Sequence, residues 1–421
     1  MEISEFQRLL EIGLGRAVIY ARDHDVTPYR DAILNACLHN LAYDRQCEGN
    51  RAEFMYDIIQ FSSEKEFYRK KILTALAGAW EDWDPQVFDL ARLFAQDGDV
   101  EAHKIIYDTF TKNCQQDHAN GVALIKLDGL EGFLFVANQI GAQLLADDAS
   151  EDDYLLYVLE EKYGKKEAHM ALEQTFTENP EVKAYVSAIM HHRSESQRKA
   201  ENRRPNSSAV SYEQLKPVID HYRLSLAHWG ERASNTDFEQ AATDALAELD
   251  PRRLRAYLSL FRDRRFPLDH HWLQEQVFSP VERVPWLAIK ALAIIAHPDV
   301  RALSLSLMDS VSEVRCRAVE LLTNNFQTGD HVIVEKFAGD LQDVAEIHSL
   351  GFGVLDFYKA HPHPESEARI MLTLYEKKPC TQCREDFVDR LIALNALPDW
   401  MREECQYDAN PDIRSKVKEL Q

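Results

Sequence analysis

Residues 309–322 read DSVSEVRCRAVELL, and their spacing decides the fold class. Val314, Ala318, Leu321 and Leu322 stand at i, i+4, i+7 and i+8, which places them on one face of a 3.6-residue period. Glu313, Arg317 and Glu320 fall on the opposite face and are expected in solvent, so the stretch predicts an amphipathic helix from Ser312 to Asn324. Two other strings share its opening. Pro298-Asp299-Val300-Arg301 and Pro411-Asp412-Ile413-Arg414 repeat the order of Ser312-Glu313-Val314-Arg315. A proline or serine in the first turn followed by an acid suits a helix N-terminus. Arg315 and Arg414 lie 99 residues apart, room for three helical hairpins of roughly 33 residues each. The shorter step from Arg301 to Arg315 is about half a repeat, so Asp299 to Met308 reads as the second helix of one hairpin and Ser312 to Asn324 as the first of the next. Further helices are expected near Asp330 to Leu341, Val344 to Tyr358, Glu365 to Tyr375, Glu385 to Leu394 and Pro398 to Cys405.

This pattern resembles the HEAT-repeat family, whose hairpins carry an Asp before, and a Val-Arg within, the start of a helix. Asp309 to Arg315 is the best match; residues 280–421 fit well and 212–280 weakly. The resemblance implies an all-α fold, an α-solenoid of stacked hairpins. It implies a structural role for Asp309 and Arg315, and for Asp408 and Arg414, as contacts between successive repeats. The segment Asp340 to Leu355 departs from the pattern, with Ala345 after Val344 where an arginine would stand. A single hairpin cannot cover its own apolar face, so neighbours must supply the cover, and the array offers a long concave surface. The same resemblance brings in a group of DNA glycosylases, and a lyase or chaperone acting on a modified protein.

Outside this region the helical period persists. Runs from Phe67 to Ala79, Pro85 to Ala95 and Glu101 to Phe110 are amphipathic, and Leu127-Asp128-Gly129 separates two more. Only 15 glycines and 15 prolines occur in 421 residues, with few alternating β-branched stretches, which again favours helix. From His191 to Ser211 the apolar period fades into Arg, Lys, Ser and Asn. This predicts an exposed linker, residues 191–211, between an N-terminal helical domain, 1–190, and a HEAT-like repeat domain, 212–421.

Composition bounds the function. Hydrophobic residues at 45% and charged residues at 28% suit a folded chain with ample core. Carboxylates at Glu2, Glu5 and Glu11 are unlike a secretory or transit leader. No apolar run approaches the roughly 18 residues of a membrane span, and seven scattered cysteines suit a reducing compartment. A cytoplasmic protein without membrane association is expected. The net charge is −22, and residues 1–160 hold 14 Lys and Arg against 29 Asp and Glu. Such a surface repels phosphate polymers and attracts a basic protein face. Residues 190–270 break the trend with 14 basic against 12 acidic residues, so an anion would bind there.

The basic cluster is Arg252, Arg253, Arg255, Arg262, Arg264 and Arg265, interleaved with Tyr257 and Phe261. It reads either as a partner or anion-binding patch or as a solvated helix face neutralised by Asp250, Asp263 and Asp269. Cys380 and Cys383, with His361 and His363 before them and Cys405 after, have thiolates at chelating spacing. A structural zinc site needs four ligands and no second Cys-x-x-Cys exists, so a helix start with packed cysteines is the alternative and no metal is expected. His191-His192 and His270-His271 are adjacent pairs, which on a helix point about 100° apart and present no common ligand point. Turns are expected at Glu48 to Arg51 and at Asp128 to Gly132. Phosphate-binding loops, dinucleotide fingerprints, nucleophile elbows and kinase signatures are missing from the sequence. No catalytic residue and no cofactor is therefore expected. The function anticipated is a scaffold or adaptor binding a protein partner, with nucleic acid disfavoured by charge; the alternative is a HEAT-like DNA glycosylase gripping phosphates at Arg252 to Arg265.

Overall fold

A computed structural model describes residues 1–78, 84–113, 118–146, 152–175, 179–202, 210–221 and 226–420. All regular structure among these residues is helical, with 27 α-helices and no strand. The helix starts follow local chemistry. Asp84 and Asp250 cap the Pro85–Gln96 and Pro251–Leu260 helices by accepting backbone N–H bonds, with proline in the first turn of each. His297 and Asn410 do the same for Pro298–Met308 and Pro411–Lys418, so both proline strings do open helices. The serine string does not. Ser310 and Ser312 hydroxyls accept from the backbone N–H groups of Ser312 and Val314. Such local bonds compete with α-helix formation; Arg315–Arg317 is a 3-10 turn and the α-helix covers only Ala318–Leu322.

The chain forms two compact units, one of Met1–Pro205 with Asp399–Gln421 and the other of Asn206–Pro398. These boundaries differ from those expected at 190 and 211. Residues 191–202 belong to a continuous helix, Pro180–Asn202; residues 203–209 of the expected linker lie outside the described residues. Asp399–Gln421, expected within the repeat domain, belongs to the first unit. The Ala409 N–H donates to the Gly13 carbonyl at 3.0 Å, and Arg16 pairs with Glu404 at 2.9 Å. Gly15 permits this approach, since a Cβ there would stand 1.9 Å from the Glu404 carbonyl oxygen.

In the second unit Leu226–Arg232, Pro251–Leu260, Val284–Ala293, Ala318–Leu322 and Val344–Ala360 pack in succession, each on the next. Asn235–Leu246, His271–Gln276, Pro298–Met308 and Asp330–Asp340 each back one member of that row. Ala318, Leu321 and Leu322 are fully buried between layers.

Three expectations are corrected here. Glu320 is buried, not solvated, because Lys290 at 2.8 Å and Arg317 at 2.7 Å compensate its charge. Arg315 does not pair with Asp309; it forks onto Glu346 of the next hairpin at 2.6 and 2.7 Å, while Asp309 ends the Pro298–Met308 helix. Arg414 bonds the backbone carbonyl of Asp408 and takes Asp57 as its carboxylate at 2.9 Å.

Candidate anion-binding site

Along the Pro251–Leu260 helix, Arg252, Arg255 and Ser259 stand at i, i+3 and i+7, hence on one face. Arg283 and Trp286 open the neighbouring Val284–Ala293 helix. These side chains, with Asp220, Leu226, Ala256, Glu282 and Leu287, line a cavity of about 770 Å³, the size range of ligand sites. No described carboxylate forms an ion pair with Arg252, Arg255 or Arg283. Of the two acids in the lining, Asp220 lies 3.7 Å from Arg253, which is not itself a lining residue, and Glu282 is exposed, as are Arg252 and Arg283. Three unpaired guanidiniums facing one space favour an anion with several oxygens, because each fork can donate two parallel N–H bonds.

Arg283 has φ 68°, a left-handed conformation, at the cap of its helix and supplies no side-chain cap. Trp286 also borders a second cavity of about 700 Å³ lined by Arg262, Lys290, Glu320 and Lys359 among others. Its Nε1–H is buried without a hydrogen-bond acceptor among the described residues, and the Arg317 guanidinium lies 5.2 Å from its ring centroid.

The six arginines singled out from sequence thus separate. Arg252 and Arg255 enter the cavity. Arg253 is held by Glu248 at 2.9 Å, Arg262 by Asp263 at 3.0 Å, and Arg264 by the Ala233 carbonyl at 2.7 Å. Arg265 is exposed and lines neither cavity. Tyr257 and Phe261 are not stacking platforms: both are buried, Tyr257 bonding Tyr212 at 2.9 Å and Phe261 packing on Phe238 and Phe266. Arg283 and Trp286 were missed. Pro285 signals a helix start nearby, but nothing local shows that this start abuts the Pro251–Leu260 helix.

The other candidates also move. His191 and His192 lie within Pro180–Asn202. His270 and His271 do approach one another, contrary to expectation, with ring centroids 4.7 Å apart. His270 precedes its helix instead of lying within it, and the start of the Pro298–Met308 helix brings His297 and Asp299 alongside. His361 and His363 do not join the cysteines: His361 stacks on Phe326 at 4.2 Å and His363 caps Pro364–Lys377. Cys405 belongs to the other unit. Gly49 and Gly129 take positive φ of 69° and 62° at the expected turns. Among the described residues no helix is long and apolar enough to cross a membrane. No family model, curated protein or solved structure matches this chain.

Proposed function

We propose that the chain is a cytoplasmic interaction scaffold, built on a HEAT-like α-solenoid, that holds an anionic group of a protein partner between Arg252, Arg255 and Arg283. The observation that carries this is the trio of guanidiniums without acidic partners around one cavity. Support for the solenoid comes from the row of helices packed each on the next and from arginines that bridge neighbouring hairpins, Arg301 to Asp330 and Arg315 to Glu346. The group held is a carboxylate cluster or a phosphorylated side chain, both of which match forked donors. A nucleic acid backbone offers similar oxygens, but a chain of net charge −22 repels a long polyanion.

Affinity capture from native lysate tests the proposal. Wild-type chain is expected to retain a protein that the triple variant Arg252→Glu, Arg255→Glu, Arg283→Glu releases. Equal recovery by both, or none by either at low and moderate salt, counts against it. Retention of DNA that weakens steeply as salt rises would favour the glycosylase alternative.

A further inference from the structure

Cys380 occupies the N-cap position of the Thr381–Ala393 helix and Cys383 stands in its first turn, so both sulfurs are carried at one helix start. The Val344–Ala360 helix brings His348 to the same point. Its Nε2 lies 3.5 Å from the Cys383 sulfur, and the three donor atoms all lie within 4.8 Å of one another. Around a tetrahedral zinc ion, bonds of about 2.3 Å to sulfur and about 2.0–2.1 Å to nitrogen set neighbouring ligand atoms about 3.5–3.8 Å apart. The observed nitrogen–sulfur separation already has that length. The ligand-bearing helices are tied beside the site, where the buried Lys378 ammonium donates to the His348 carbonyl at 2.6 Å. Gly351 leaves room for that lysine, since a Cβ there would stand 2.6 Å from Nζ. Phe352 and Phe387 flank it with ring centroids 5.3 and 5.5 Å away.

We propose that His348, Cys380 and Cys383 form a binding site for a thiophilic divalent cation, zinc above all. Cys380 is buried whereas His348 and Cys383 are half-buried, so the site reaches solvent on one side, and a water or exchangeable ligand would complete the four ligands that zinc takes. Soft thiolates with imidazole select zinc-like ions over magnesium or calcium. Binding converts both thiols to thiolates, so each metal ion taken up releases two protons from sulfur.

Cobalt(II) reports this geometry directly. The reduced, chelator-treated full chain, titrated anaerobically with cobalt(II), is expected to develop a thiolate-to-cobalt charge-transfer band and tetrahedral d–d bands. These should saturate at one equivalent and bleach on addition of zinc. Cys383→Ser and His348→Gln should each weaken cobalt binding at least about tenfold, in keeping with loss of one ligand, while Cys47→Ser leaves it intact. The proposal is overturned if folded wild-type chain develops no charge-transfer band, or if both ligand variants keep it. Recovery of a Cys380–Cys383 disulfide from cells, together with no cobalt band after reduction, would assign the pair to thiol redox chemistry instead.

Discussion

Arg283 holds a φ of 68° without being glycine. A left-handed backbone costs a residue with a Cβ about 1–2 kcal/mol, partly offset in glycine by its greater unfolded freedom. Arg283→Gly is therefore expected to keep stability or raise it by up to about 1 kcal/mol in urea unfolding, while weakening anion binding at the cavity. Loss of both together would show that the side chain supports the fold instead. Asp330 makes the opposite case. Burial alone would push its carboxyl up, but the Arg301 guanidinium and the Gln327 N–H together hold it below the ordinary range. A carboxyl lowered on folding stabilises above its unfolded pKa of about 3.9, and this contribution is lost as pH falls through the folded value. Asp330→Asn is expected to cost about 3 kcal/mol at neutral pH, as for breaking a buried pair. The deficit should shrink as pH drops below about 4, read from urea midpoints across that range; a deficit independent of pH contradicts the assignment. At this scale the sequence picked out Arg315 and Arg414 as structural but named Asp309 and Asp408 as their partners, and it marked Arg301 only as part of a repeated string. Asp330, Glu346 and Asp57 lie 29, 31 and 357 residues away, beyond any local spacing rule.

Helix positions were largely legible because the apolar period and the proline caps are local properties. Asp330–Asp340, Val344–Ala360 and Pro364–Lys377 lie within a few residues of their predicted spans. The miss at Ser312 to Arg317 came from serine hydroxyls that bond their own backbone, which an apolar period does not register. The docking of Asp399–Gln421 was invisible for a different reason: its signal is Gly13-Leu14-Gly15, nearly 400 residues upstream. Gly15→Ala should force the Glu404 backbone away, with a destabilisation of about 1–3 kcal/mol as for other overpacking changes. Amide hydrogen exchange should rise first in Asp399–Cys405; unchanged protection there would show that the contact is dispensable.

For the whole molecule, composition and charge indicated an all-helical chain and excluded little else. The anion-binding reading of residues 190–270 was visible as a local charge reversal, but only packing separates the arginines that are free from those already engaged. Residue content alone would have weighted Arg264 and Arg265 equally with Arg252. Calorimetric titration of the full chain with tripolyphosphate bears most directly on the central claim. One saturable site is expected, abolished by Arg252→Gln, Arg255→Gln, Arg283→Gln together and unchanged by Arg265→Gln. No saturable binding to the wild-type chain, or equal binding to the triple variant, would contradict it.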